Sequence, residues 1–133
     1  MDADVATVFV VDDDEAVRES LALLIESYGM RVEDYESPSA FERNYQARAR
    51  QCLILDQHMP GMTGLEFLAS GAAARRDLPV ILLTGQGSPA IEARAREAGA
   101  VAFFEKPVDI AALVAAIRGV LAIDAPSAVR RHT

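Results

Sequence analysis

Five polar positions carry the chemical promise of this chain: the carboxylates of Asp12, Asp13 and Asp56, the hydroxyl of Thr84 and the ammonium of Lys106. Should they converge, three carboxylates against one ammonium leave two uncompensated negative charges in a small space. One divalent cation cancels them. A ligand set of oxygens alone, with no cysteine and no paired histidine, favours a hard ion, Mg2+ or Mn2+, which keeps waters that a phosphate oxygen can replace. Thr84 then offers a neutral donor and Lys106 a mobile point charge, a pair suited to the oxygens of a phosphoryl group in transfer. The nucleophile in such chemistry has to be a carboxylate. No cysteine stands at a strand end, and a serine or threonine would need a base that His58 and His132 are poorly placed to provide.

Each position has a plainer reading when taken alone. Asp12, Asp13 and Asp14 suit a helix N-terminus, Asp56 a Pro-Gly turn, Thr84 a loop and Lys106 a solvated surface. Their joint placement argues otherwise. Lys106 is also the single lysine among thirteen cations, the other twelve being arginine, which suits a site that wants a compact ammonium in place of a planar fork.

The elements that must position these residues are legible as apolar runs. Thr7–Val11 (TVFVV), Cys52–Leu55 and Pro79–Leu83 read as continuous apolar strands ending in Asp12, Asp56 and Thr84; Val101–Phe104 is a fifth strand ending at the Glu105-Lys106-Pro107 step, and Arg31–Tyr35 alternates as a half-exposed strand. Between them, helical spacing runs from Asp14 through Val17, Leu21, Leu24, Ile25 and Tyr28 to a stop at Gly29. Further helices are predicted from Ser37-Pro38 through Phe41 and Tyr45, and from Thr63 through Leu65, Phe67 and Leu68. Two more run from about Ala90 to Ala98, and from Val108 to about Ile123. Five strand-then-helix units predict an α/β fold, a doubly wound parallel sheet with helices on both faces. Ligands of such sheets bind outside the carboxyl ends of the strands, where the functional residues stand. Phe103 and Phe104 alternate across their strand, so one of them is expected in the core.

At 133 residues and 51% hydrophobic composition, the chain has material for one domain with a proper core. The boundary is placed at 1–123, with 124–133 (DAPSAVRRHT) a flexible tail or the start of a linker. The longest apolar run, Ile110 to Ile117, falls far short of the roughly 20 residues that span a bilayer, so no membrane partner is expected. A net charge of −7 repels phosphate backbones, so no direct nucleic-acid binding by this chain is expected. One cysteine, Cys52, makes no internal disulfide and reads as a small buried hydrophobe; the expected compartment is the cytoplasm.

The segments VVDDDEAVRESL, LILDQHMPGMTG with its Asp-x-x-Met-Pro-x-x-x-Gly pattern, ILLTG and FFEKP resemble the receiver domain of bacterial two-component response regulators, over residues 7 to about 122. The Thr-Gly-x-Gly loop and AGAVAFFEKP look closest to receivers of helix-turn-helix transcription factors. The resemblance implies a flavodoxin-like sheet of order 2-1-3-4-5 with five helices. It makes Asp56 the phospho-acceptor, and Asp12, Asp13, Asp56 and the backbone carbonyl of His58 the protein ligands of Mg2+ (or Mn2+). Thr84 and Lys106 become the phosphoryl contacts, Thr84 and Phe103 the switch pair, and Lys106-Pro107 a cis peptide. It implies a sensor histidine kinase or phosphotransfer protein as phosphoryl donor. Output follows through the face of the fourth helix, fifth strand and fifth helix, with a phosphorylation-dependent homodimer through that face as one form of it. A receiver promotes its own phosphorylation and dephosphorylation and turns over no external substrate.

An alternative is a Mg2+-dependent phosphohydrolase of the haloacid-dehalogenase type, whose nucleophile and second aspartate, two residues apart after the first strand, match Asp12 and Asp14. Ala16 stands where that family wants Thr or Val, and 133 residues leave no room for a cap domain. A third reading, a pseudo-receiver that only binds partners, sits badly with a complete acidic set.

Overall fold

A computed structural model describes residues 5–124. Five parallel strands, β1 (Thr7–Val11), β2 (Arg31–Tyr35), β3 (Gln51–Asp56), β4 (Val80–Thr84) and β5 (Ala102–Glu105), form one sheet in the order β2-β1-β3-β4-β5. The helices between them are α1 (Glu15–Glu26), α2 (Pro38–Asn44), α3 (Gly64–Ala69), α4 (Ala72–Arg75), α5 (Pro89–Glu97) and α6 (Ile110–Asp124).

Alternation along the strands divides the core between the two faces of the sheet. Phe9, Val11, Leu53, Leu55 and Leu82 point to one face, under Phe41 of α2, Phe67 and Leu68 of α3, Ala72 and Ala73 of α4, and Ala95 of α5. Val8, Val10, Cys52, Ile54, Ile81 and Leu83 point to the other, against Leu21 and Ile25 of α1 and Leu113, Ile117 and Leu121 of α6. Strands β1, β3 and β4 are buried along their whole length, as strands covered on both faces must be.

Capping follows the polar residues that precede each helix. Asp14 accepts from Val17 N at the start of α1, Ser37 from Ala40 N at α2 and Ser88 from Ile91 N at α5. Thr63 and Glu66 close a reciprocal capping box on α3.

Six helices stand among the described residues where five are expected. Past Ala69 the chain passes through Gly71 at φ 83°, a left-handed conformation that ends α3 and allows the separate turn of α4. Tyr45 is extended and lies just past α2. Helix α6 continues through Asp124, one residue into the segment read as a tail; residues 125–133 of that segment lie outside the described residues. The expected core position among Phe103 and Phe104 is not realised. Both are half-buried, because β5 is an edge strand, and they lean on opposite layers. No helix among the described residues is long and apolar enough to cross a membrane.

Candidate functional site

The topology brings the predicted residues to one end of the sheet. With the order β2-β1-β3, the chain turns opposite ways on leaving β1 and β3, which opens a crevice at their carboxyl ends. Asp12 follows β1 and Asp56 ends β3. Asp12, Asp13 and Asp56 each offer a carboxylate oxygen, and these oxygens lie within 4.8 Å of one another. Asp12 and Asp56 are buried, at 1% and 3% exposure, while Asp13 is open to solvent.

Lys106 reaches this cluster from the end of β5. Its Nζ donates to Asp12 Oδ2 at 3.0 Å and stands 2.8 Å from Asp56 Oδ1. Its ammonium is thus shared between the two buried carboxylates of the cluster. Burial holds the Asp56 carboxyl above the usual carboxylate range; Lys106 pulls it back, and the charges of Asp12 and Asp13 push it further up. For Lys106, burial works against the ammonium, but Asp56 and Asp12 outweigh it and its pKa is raised. The Lys106-Pro107 peptide is cis.

Thr84, fully buried at the end of β4, joins the site through backbone and side chain. Lys106 N donates to Thr84 O at 2.8 Å. Thr84 Oγ1 accepts from Gln86 N at 3.2 Å and lies 3.2 Å from His58 Nε2. The exposed His58 ring therefore holds the threonine, a contact that sequence reading does not reach. Phe103 pairs with Leu82 in the β4–β5 register and packs on the α2–α5 layer, away from the carboxylates.

Three further residues support the site, and of these the sequence marks Gly64 alone, as the end of a motif. Buried Gln57 accepts from Leu65 N at 2.8 Å through Oε1 and from Gly64 N at 3.1 Å through its carbonyl, binding the loop after Asp56 to α3. Gly64 closes the Asp-x-x-Met-Pro-x-x-x-Gly pattern for a steric reason. A Cβ there would stand 2.6 Å from Leu82 Cδ1 and 2.7 Å from Asp56 O. Arg18 of α1 donates to Asp12 O and to Asp34 Oδ2, each at 2.9 Å.

Residues 8–118 match the family model of the response regulator receiver domain. The chain belongs to that family. Receivers of this type are signalling domains and not substrate-turnover enzymes. The transcriptional regulatory protein FixJ of Azorhizobium caulinodans is 44% identical over 114 residues, which is 86% of this chain and 54% of that protein. The response regulator protein TmoT of Ectopseudomonas mendocina is 39% identical over 116 residues, 87% of this chain and 53% of that protein. The solved structure of the response regulator StyR superposes with a TM-score of 0.81 at 39% identity, covering 91% of this chain and 61% of that one. This receiver thus spans about half the length of the curated relatives it matches.

The haloacid-dehalogenase reading is not supported. Asp14, its second aspartate, is spent on the N-cap of α1 and stands outside the carboxylate cluster, whose third member is Asp56 from β3. The donor set suits a hard divalent ion: three carboxylates with oxygens within 4.8 Å of one another stand against one ammonium, so negative charge is left over.

Proposed function

We propose that this receiver accepts a phosphoryl group on Asp56 from a phosphohistidine of a sensor kinase or phosphotransfer protein. An Asp56 oxygen forms the new bond to phosphorus as the donor's P–N bond breaks, and the imidazole leaves with the electron pair. The observation that carries this reading is Asp56 itself. It is a buried carboxylate at the crevice, approached by a single ammonium and flanked by two more carboxylates. Asp12, Asp13, Asp56 and the His58 carbonyl would hold Mg2+ (or Mn2+), which when bound supplies the positive charge the cluster lacks. Lys106 stands ready to exchange Asp56 Oδ1 for a phosphoryl oxygen. Thr84 can keep accepting from Gln86 N while its hydroxyl turns from His58 to donate to another.

An apolar hollow of about 540 Å3, lined by Val17, Leu24, Lys106, Pro107 and Ile110 among others, opens beside the site and would seat an apolar face of the donor. Movement of Thr84 leaves room for Phe103 to turn, altering the face of α5, β5 and α6. That face is the output surface, for a second copy of the receiver or for a transcriptional output domain, with 1–123 the receiver and 124–133 the link. The setting is cytoplasmic, and the same pocket promotes dephosphorylation of Asp56.

Incubation with acetyl phosphate and Mg2+, followed by a Phos-tag gel, tests the reading. Stoichiometric uptake by the native protein and none by Asp56→Asn is the expected result. Undiminished uptake in the variant moves the acceptor elsewhere, and phosphate release that persists in Asp56→Asn would make the protein a phosphatase working through another residue.

A further inference from the structure

Arg18 stands outside the carboxylate cluster, yet it touches the peptide that joins two of its members. Its Nη1 donates to the carbonyl of Asp12 at 2.9 Å, and its Nε donates to Asp34 Oδ2 of β2 at 2.9 Å. The side chain is 14% exposed, and its backbone N–H closes the first turn of α1 on Asp14 O. Asp12 is thereby fixed at every polar atom. Its N–H donates to Tyr35 O, Oδ1 accepts from Asp14 N and Oδ2 from Lys106. Asp13 has no such anchoring of its own and is exposed. The plane of the Asp12–Asp13 peptide fixes the nitrogen and Cα from which that carboxylate projects, and Arg18 holds the plane by its oxygen.

We infer that Arg18 is a positioning residue of the cation site, clamping the Asp12–Asp13 peptide against β2 so that Asp13 is presented to the ion. This rests on the Mg2+-dependent reading above. The clamp needs a planar fork that serves two acceptors at once, which a lysine does not supply.

Charge and geometry make opposite predictions, and this separates a clamp from a bystander. As a mere nearby cation, Arg18 repels Mg2+, so Arg18→Gln would tighten binding and Arg18→Lys would leave it unchanged. As a clamp, its loss frees the peptide, and both variants weaken binding.

The experiment is calorimetric titration with MgCl2 of the unphosphorylated protein, its Arg18→Gln and Arg18→Lys variants and Asp13→Asn, at a temperature where circular dichroism shows each folded. The expected result is loss of binding in Asp13→Asn and an affinity about tenfold weaker in both Arg18 variants, the size typical of removing a support behind a metal ligand. Should Arg18→Gln fail to fold, Arg18→Lys alone decides, since only the clamp makes it weaker. Tighter or unchanged binding in the Arg18 variants, with Asp13→Asn still defective, overturns the inference and leaves the site intact. A native protein that binds no Mg2+, or an Asp13→Asn variant that binds as well as native, overturns the cation site and the clamp with it.

Discussion

Asp12 and Thr84 occupy corresponding places, one just past β1 and the other at the end of β4, and the chain treats them differently. Around Asp12 the backbone is tied to β2 through Tyr35 O and to α1 through Arg18, and the carboxylate is paired with Lys106 just past β5. The loop after β3 is equally bound, through Gln57 to α3 and through the close contact of Gly64. Beyond Thr84 the chain enters exposed Gly85 and Gln86, and the loop's tie to β5 is one bond from Gly87 N to the exposed carboxylate of Glu105. The neighbouring strands match this contrast, β1 buried throughout and β5 a half-exposed edge of four residues. Like charges have to be held together at the first pair of strand ends, which demands many supports. At the second pair the proposed function asks a hydroxyl to move, which demands few.

The largest effect that distinguishes the two halves is expected from Gly64→Ala. The new Cβ meets Asp56 O, a backbone atom of a buried strand that cannot swing aside, so a loss of about 3 kcal/mol is expected. That lowers the melting temperature by roughly 10 °C for a domain of this size. A thermal melt decides, and an unchanged midpoint would show that the β3–α3 connection yields as readily as the other loop.

A smaller effect comes from the charge stored at Asp56. Its folded carboxyl holds a proton to higher pH than the unfolded one, chiefly through burial and against the pull of Lys106. Between the ordinary carboxylate value and the raised one, the folded state carries the extra proton, so stability falls as pH rises. Lys106 acts at the alkaline end. Its raised pKa gives stability that is full below the ordinary lysine range and is lost as pH climbs through the raised value. Urea melts in chelator should show Asp56→Asn more stable than native at neutral pH, with the acid-side decline reduced. A variant no more stable than native would mean that the acidic half is not under repulsion.

Much of this contrast is written in the sequence. Parallel strands are apolar throughout when covered on both faces, so the first polar residue after each run marks a strand end, and that logic places Asp12, Asp56 and Thr84 directly. Other features depend on distances between elements. Arg18 reads as a solvated helix position until β2 brings Asp34 beside it, and His58 reads as a loop side chain until β4 brings Thr84 within reach. Period-two alternation assigns Phe103 and Phe104 to opposite faces but is silent on which strand lies at the edge. The break between α3 and α4 depends on the left-handed backbone at Gly71, and a lone glycine after a short helix is compatible with several continuations.

The smallest effect is expected at Gly87, where the same substitution as at Gly64 meets the opposite surroundings. A Cβ at residue 87 would stand 2.5 Å from Glu105 Cγ and 2.8 Å from its Cδ and Oε2, closer on paper than the contacts at residue 64. Those atoms belong to an exposed, flexible side chain that can turn into solvent, and the backbone at Gly87 is not left-handed. The loss is the hydrogen bond from Gly87 N, about 0.5 kcal/mol at an exposed place. Against it stands a gain of about 0.4–1 kcal/mol from a stiffer unfolded chain. Gly87→Ala should therefore leave the melting temperature within about 2 °C of native, while hydrogen exchange at residue 87 quickens because the amide has lost its acceptor. A fall in stability as large as that of Gly64→Ala would show the β4–α5 loop to be built as tightly as the loop after β3, and the contrast between a fixed half and a yielding half would fail.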